Sequence, residues 1–281
     1  MSRTTALVSQ VRDSLSVFSN VVFAYLFGSG AADRLRPDSD IDVAIYGAGG
    51  AALDVESERV VDGETDIQLA VEAATGRNVD LLVLNRAPAL VCASVLLTGC
   101  ELIVRDRSLC TRFFLAVTNV AIEFLQTEQE FRRIRDRSAS LSEIDRARLM
   151  RILDFIDQEL SDRQQFEAVD LDRYRGDRNL RRNLDRWVET LINAAIDIGK
   201  IVLASEHRAV PQTYGQILAE LDVMPQLAGR SPGQLRNLSA LRNVIAHEYL
   251  DLRFPRIRSF VADDVDAIAA LAGSVRSWLT E

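Results

Sequence analysis

Lysine is almost absent: Lys200 is the only one, so nearly all the positive charge is arginine. Catalytic or Schiff-base lysine chemistry is left with a single candidate and is discounted. Cysteine is scarce as well, since Cys92, Cys100 and Cys110 are odd in number and show no C-x-x-C spacing. Neither a disulfide framework nor a cysteine zinc site is supported, and the three read as core thiols in a reducing compartment. Positive charge is in deficit, with Lys+Arg 33 against Asp+Glu 41 for a net charge of -8. The global field repels nucleic acid, which excludes a DNA-coating role; any RNA contact must come from a local basic site. No run of about 18 or more apolar residues is read in the chain, and Met1 to Asp13 carry charge. A soluble, cytoplasmic protein with no membrane and no DNA partner is therefore expected. What is present is 281 residues at 48% hydrophobic composition, enough for one large domain or two of ordinary size.

The two halves differ in texture. Val21 to Phe27, Ile41 to Tyr46 and Val79 to Leu84 are short apolar runs bounded by Gly, Pro, Asp and Asn, and these suit buried strands. Thr4 to Phe18 and Asp66 to Ala74 read as helices, and another strand is expected from Glu101 to Val104 after a turn at Gly99. Beyond Arg105 the apolar residues recur at helical spacing, in stripes through Phe113 to Leu125, Leu149 to Ile156, Trp187 to Val202, Leu235 to Ile245 and Val265 to Trp278. The fold class is therefore α+β, a mixed sheet with flanking helices followed by an all-α bundle. The charged, serine-containing stretch Arg135 to Ser142 places the boundary, giving domains 1–138 (with a trailing helix) and 139–281. From Phe131 to Trp187 arginines and acids interleave, as on a solvated face.

The first strand ends in Gly28-Ser29, and ten residues later Asp40-Ile41-Asp42 leads the second strand. Alternate residues of a strand share a face, so Asp40 and Asp42 present two carboxylates side by side. Mg²⁺, a hard ion preferring oxygen, relieves their repulsion while keeping sites for nucleotide phosphates. Gly28 lets the backbone approach a phosphate, and the Ser29 hydroxyl can donate to it. Asp80, at the start of the strand Val79 to Leu84, completes a site with metal ligands and a base if the strands are neighbours. Taken singly, each piece is also what an ordinary turn or polar loop shows.

Late in the bundle stands Arg242-Asn243-Val244-Ile245-Ala246-His247-Glu248-Tyr249. On a helix Asn243 and His247 share a face, and Arg242 and Tyr249 share a neighbouring one. A guanidinium can grip a scissile phosphate while an imidazole moves protons at the ribose 2′-OH or the leaving oxygen, a route to RNA cleavage that requires no metal. Asn and His also cap and cross-link helices, so the string by itself is open to a structural reading. His207 lies in a polar loop outside this pattern.

The ordered set Leu26-Phe27-Gly28-Ser29, Ser39-Asp40-Ile41-Asp42-Val43-Ala44-Ile45 and Val79-Asp80-Leu81-Leu82-Val83-Leu84 resembles the minimal nucleotidyltransferases of the DNA polymerase β superfamily, over about the first hundred residues. The resemblance implies Mg²⁺ on Asp40, Asp42 and Asp80, the triphosphate of ATP on Gly28 and Ser29, and catalysis by the three carboxylates, with Asp66 as the fallback third acid. The string from Arg242 to Tyr249, with the stretch Trp187 to Leu203 and the loop Val210-Pro211-Gln212-Thr213-Tyr214, resembles the HepT-type toxins of the HEPN superfamily. Together the halves resemble a fusion of an MntA-type antitoxin nucleotidyltransferase with its HepT-type RNase toxin. That implies transfer of AMP from ATP to Tyr249, which silences RNA cleavage by Arg242 and His247, with Asn243 in support. It also implies RNA as a partner, tRNA among the candidates, and self-association through the HEPN domain. The competing expectation is an aminoglycoside-type small-molecule nucleotidyltransferase with a helical substrate or dimerisation domain, which has no use for the Arg242 to Tyr249 string.

Overall fold

The computed structural model describes residues 3–31, 39–49, 53–57, 59–227, 233–247 and 250–280. By internal packing the chain forms two units, 1–122 and 123–281.

The first unit opens with α1 (Arg3–Ser16), then β1 (Val21–Phe27), a single helical turn α2 (Gly28–Ala31) and β2 (Ile41–Gly47). It continues through α3 (Glu64–Thr75), β3 (Val79–Val83), α4 (Ala89–Thr98) and β4 (Cys100–Val104) into α5 (Arg107–Arg137). The four-stranded sheet has the order β3-β2-β1-β4. β1 runs antiparallel to β2 and β4, while β2 and β3 are parallel. Alternation along the strands divides the sheet's two faces. Ala24, Leu26, Ile41, Val43 and Ile45 pack with Leu7, Val11 and Leu15 of α1 and with Ile67 and Val71 of α3 in one core. On the other face Phe23 and Tyr46 stack at 4.6 Å, and Phe113 of α5 leans on both rings. Asp42 and Ala44 alternate with the core residues and so belong to this second face. The strands lie where the apolar runs predict. The helix α4 was not expected, because Ala89–Thr98 is apolar almost all round and shows no amphipathic period; Ala89, Cys92, Ala93 and Val95 are buried.

The second unit is helical: the latter part of α5, then α6 (Glu143–Ser161), α7 (Arg163–Glu167), α8 (Leu171–Gly176), α9 (Arg178–Ser205), α10 (Tyr214–Val223), α11 (Gln234–His247), α12 (Leu250–Ser259) and α13 (Val265–Thr280). Short side chains set the helix starts: the Ser142 hydroxyl accepts from the Asp145 N–H, Asp177 from Asn179 and Leu180, and Thr213 from Gln216. The division between units falls inside α5, earlier than the 138/139 boundary read from the sequence. The reason is packing: Phe124 meets Tyr214 edge-on at 5.2 Å, and Glu130 pairs with Arg148 and Lys200.

Two expectations are corrected here. First, α5 contains an 18-residue window of mean hydropathy 1.4, long and apolar enough by that measure to cross a membrane. Within the protein its Phe113, Val117 and Val120 are buried. Second, the interleaved charges between Phe131 and Trp187 are not all solvated, since Asp145 is buried and Arg137 reaches it at 2.6 Å.

Candidate active sites

The acidic site is built at the ends of β1, β2 and β3. Asp42 is paired across the antiparallel ladder with Phe27 and across the parallel ladder with Asp80. Residues paired in register project to the same side, so the Asp42 and Asp80 carboxylates are neighbours on the face opposite α1 and α3. Asp40 stands just ahead of the strand and is exposed. Burial raises the Asp42 carboxyl above the usual range, and the charges of Asp80 and, more weakly, Asp40 push it the same way; the Ser29 backbone N–H, donating to Asp42, opposes them. Asp66, the fallback acid, lies exposed in the first turn of α3.

Gly28 closes this site from the β1 side. Its φ is +63°, in the left-handed region, and a Cβ added there would overlap the Asp42 carboxylate, well inside the 3.0 Å that real Cβ atoms keep. Both facts restrict the position to glycine. Arg77, unanticipated from the sequence, donates to the Ser39 carbonyl at 3.2 Å, and the Ile41 N–H bonds the Asn78 carbonyl at 2.9 Å. These two bonds fasten the segment carrying Asp40 to the start of β3. A distant arginine binding a backbone carbonyl leaves no local pattern that a sequence reading could find.

In the helical unit, Arg242 and Asn243 sit on α11, which His247 ends; Tyr249 lies outside the described residues. Asn243 is buried and the Arg242 side chain is only 11% exposed, so the two occupy an inner seam rather than an open helix edge. Three partners hold the Arg242 guanidinium. Its Nε donates to Asn193 Oδ1 at 2.9 Å, its NH2 group reaches Glu123 Oε2 at 2.5 Å, and its Cζ lies over the Tyr214 ring, 4.5 Å from the centre. Thr127 stands 3.4 Å from the Tyr214 hydroxyl. The clamp fixes a planar fork in one orientation, with Glu123 taking one of its donors. Asn193 and Tyr214 stand in the stretch and the loop that carry the HepT resemblance, but neither was singled out as a site residue, and Glu123 and Thr127 carry no sequence signal. His207 bonds the Ser138 carbonyl at 3.0 Å and takes no part.

Comparison with known proteins decides the assignment. Residues 9–108 match the family model described as polymerase beta nucleotidyltransferase, and residues 149–275 match that of HepT-like ribonuclease. The chain joins a nucleotidyltransferase domain to a HepT-like ribonuclease domain. No curated protein matches the chain. Among solved structures, a toxin–antitoxin with AMP-PNP is 20% identical over 45% of this chain and 93% of its own, with a TM-score of 0.35. A mutant MntA–HepT-type toxin–antitoxin is 18% identical over 45% and 93%, with a TM-score of 0.36. A tri-AMPylated Shewanella oneidensis HEPN toxin in complex with its MNT antitoxin is 19% identical over 45% and 89%, with a TM-score of 0.32. At these scores the assignment rests on the two family models.

The nucleotidyltransferase residues are compatible in chemistry with a divalent cation. Among the described residues no three His, Cys, Asp or Glu side chains form a ready-made cage. Mg²⁺ does not require one, because it is commonly held by one or two carboxylates with substrate phosphates and water completing the shell. Burial and the charge of Asp80 both disfavour the ionised Asp42 carboxyl, and a cation beside it would favour that form.

Proposed function

We propose that this protein is a fused toxin–antitoxin in which the nucleotidyltransferase domain transfers AMP from Mg-ATP to Tyr249 of the HepT-like domain and thereby silences its RNA cleavage. The observation that carries the first half is the register of Asp42 with Asp80, beneath a glycine whose missing Cβ leaves room for the Asp42 carboxylate. Asp42 and Asp80, with Asp40 beside them, would hold Mg²⁺, which when bound would neutralise triphosphate oxygens and the carboxylates' mutual repulsion. The Ser29 N–H is engaged by Asp42, so its hydroxyl is the group left to meet a phosphate oxygen. Asp80, exposed on the same face, accepts the proton of the attacking tyrosine hydroxyl as its oxygen bonds the α-phosphorus and pyrophosphate leaves.

In the HepT-like domain Arg242 grips the scissile phosphate and His247 moves the proton. AMP on Tyr249, seven residues from Arg242, adds bulk and about one negative charge that competes with the RNA backbone. Covalent tethering raises the effective concentration of acceptor for either arrangement, within one chain or between two copies. Self-association of the HepT-like domain belongs to the same reading.

The test is incubation with Mg²⁺ and ATP, followed by intact mass and peptide mapping. The expected result is one or more AMP increments on the peptide holding Tyr249, abolished by the double variant Asp40→Asn, Asp42→Asn. Undiminished labelling in that variant, or labelling confined to another peptide, overturns the assignment. In parallel, Asp42→Asn alone should be unmodified and cut RNA, whereas Asp42→Asn with His247→Ala should not.

A further inference from the structure

The helices α6 and α9 run antiparallel with a furrow between them, formed by two adjoining hollows of about 400 and 500 Å³. Arg148 lies by Asp197 at one end and Glu159 by Asn183 at the other, with Phe155, Arg186 and Thr190 shared by both hollows. From Arg148 to Glu159 the helical rise gives a track of roughly 16 Å.

The first hollow is basic in a chain of net charge -8. It is lined by Arg148, Arg151 and Arg186 against one acid, Asp197; Asp197 is held by Lys200 at 2.7 Å and Arg148 by Glu130, which leaves Arg151 and Arg186 as its available cations, while the second hollow adds Glu159 and Asp162 at the far end. Arg151 is exposed, with no ion-pair partner among the described residues, and Arg186 makes only an i,i+3 surface pair with Glu189. Such pairs exchange readily for a phosphate. Phe155 is 37% exposed at the point where the hollows meet. The same wall contains Asn193, whose Oδ1 fixes the Nε of Arg242. Arginines on both walls, an exposed aromatic ring beside them and a hydrogen-bonded link to Arg242 are the parts that a single-stranded nucleic acid uses.

We infer that the furrow between α6 and α9 is a binding track for single-stranded RNA, in which Arg151 and Arg186 hold phosphates and Phe155 stacks a base, leading the strand past Asn193 to Arg242. This deepens, and rests on, the reading of the helical domain as an RNase.

The test measures anisotropy of a fluorescein-labelled oligouridine with full-length chain carrying Asp42→Asn and His247→Ala, across a salt series. Adding Arg151→Gln and Arg186→Gln should weaken binding about tenfold or more and flatten the log–log salt slope by about 1.4, near 0.7 per lost phosphate contact. Phe155→Ala should weaken it about tenfold with the slope unchanged, and the Arg→Lys pair should keep the slope. Unchanged affinity and slope in all variants, or no RNA binding by the parent chain, overturns the track. Cleavage is scored separately in the Asp42→Asn background. Binding lost in the furrow variants while that parent cuts no RNA would support the track and overturn the RNase reading. Cleavage with KM and affinity unaltered in the furrow variants would do the reverse. Light scattering supplies the remaining outcome: if the furrow variants dissociate a dimer, the face joins two copies of the chain and the RNA track is wrong.

Discussion

Replacing Gly28 with alanine tests the acidic site with one methyl group. Two effects separate. The backbone at φ +63° must carry a Cβ, which costs about 1–2 kcal/mol in the left-handed region and lowers the melting temperature of the nucleotidyltransferase unit by roughly 4–8 °C. The added methyl also overlaps the Asp42 carboxylate, so that carboxylate must move. A displacement on the order of 1 Å at a reacting centre costs roughly 10²-fold in rate. Gly76→Ala isolates the first effect, because Gly76 has φ +67° and nothing within 4 Å of an added Cβ. The assay is the initial rate of AMP incorporation from ATP by quenched intact-mass measurement, paired with thermal unfolding. Both variants should lose comparable stability, and only Gly28→Ala should lose transfer. Normal labelling by Gly28→Ala, or an equal loss in Gly76→Ala, refutes the argument that Gly28 serves Asp42.

Asp42→Asn should raise the thermal stability of the nucleotidyltransferase unit at neutral pH. With a folded-state pKa above the unfolded value, this group's stabilising contribution is complete below the unfolded pKa and lost as pH rises through the folded one, so removing the charge helps most at higher pH; a melting curve unchanged between pH 4 and pH 8 relative to the parent counts against the burial and repulsion invoked. Arg242→Lys should cut RNA cleavage by at least tenfold, because ammonium cannot both reach Asn193 and lie flat on Tyr214; RNase rates of the unmodified variant within twofold of the parent would contradict this. Lys200→Met leaves Glu130 and Asp197 short of a partner and should destabilise the helical unit by about 3 kcal/mol, the low end for a broken buried pair, since both acids are partly solvated. Urea unfolding followed by tryptophan fluorescence reads that unit alone, as Trp187 and Trp278 are the only tryptophans.

Strands β1 to β4 stand where the short apolar runs and their Gly and Asp borders place them, because a buried strand leaves a continuous apolar stretch that a local reading can detect. The helical stripes of α6, α9, α11 and α13 were legible for the same reason at a period of 3.6. Gly28-Ser29, Asp40, Asp42 and Asp80 were legible as candidates because type and order survive in one dimension. Their adjacency was not: Asp42 meets Asp80 only because β2 and β3 pair in parallel and in register. Local signals also failed for α4, whose uniform apolarity hides its period, while the division of packing inside α5, which runs unbroken to Arg137, leaves no mark in the sequence. The string Arg242 to Tyr249 announced its residue types, while the Glu123, Asn193 and Tyr214 clamp on Arg242 is assembled from three other helices. The sequence by itself determined the four strands, the main helical stripes and which side chains can do chemistry, since these follow from residue type and local spacing. Tertiary structure alone decided which carboxylates share a face and which groups hold the arginine, because those depend on long-range pairing and packing between elements far apart in the chain.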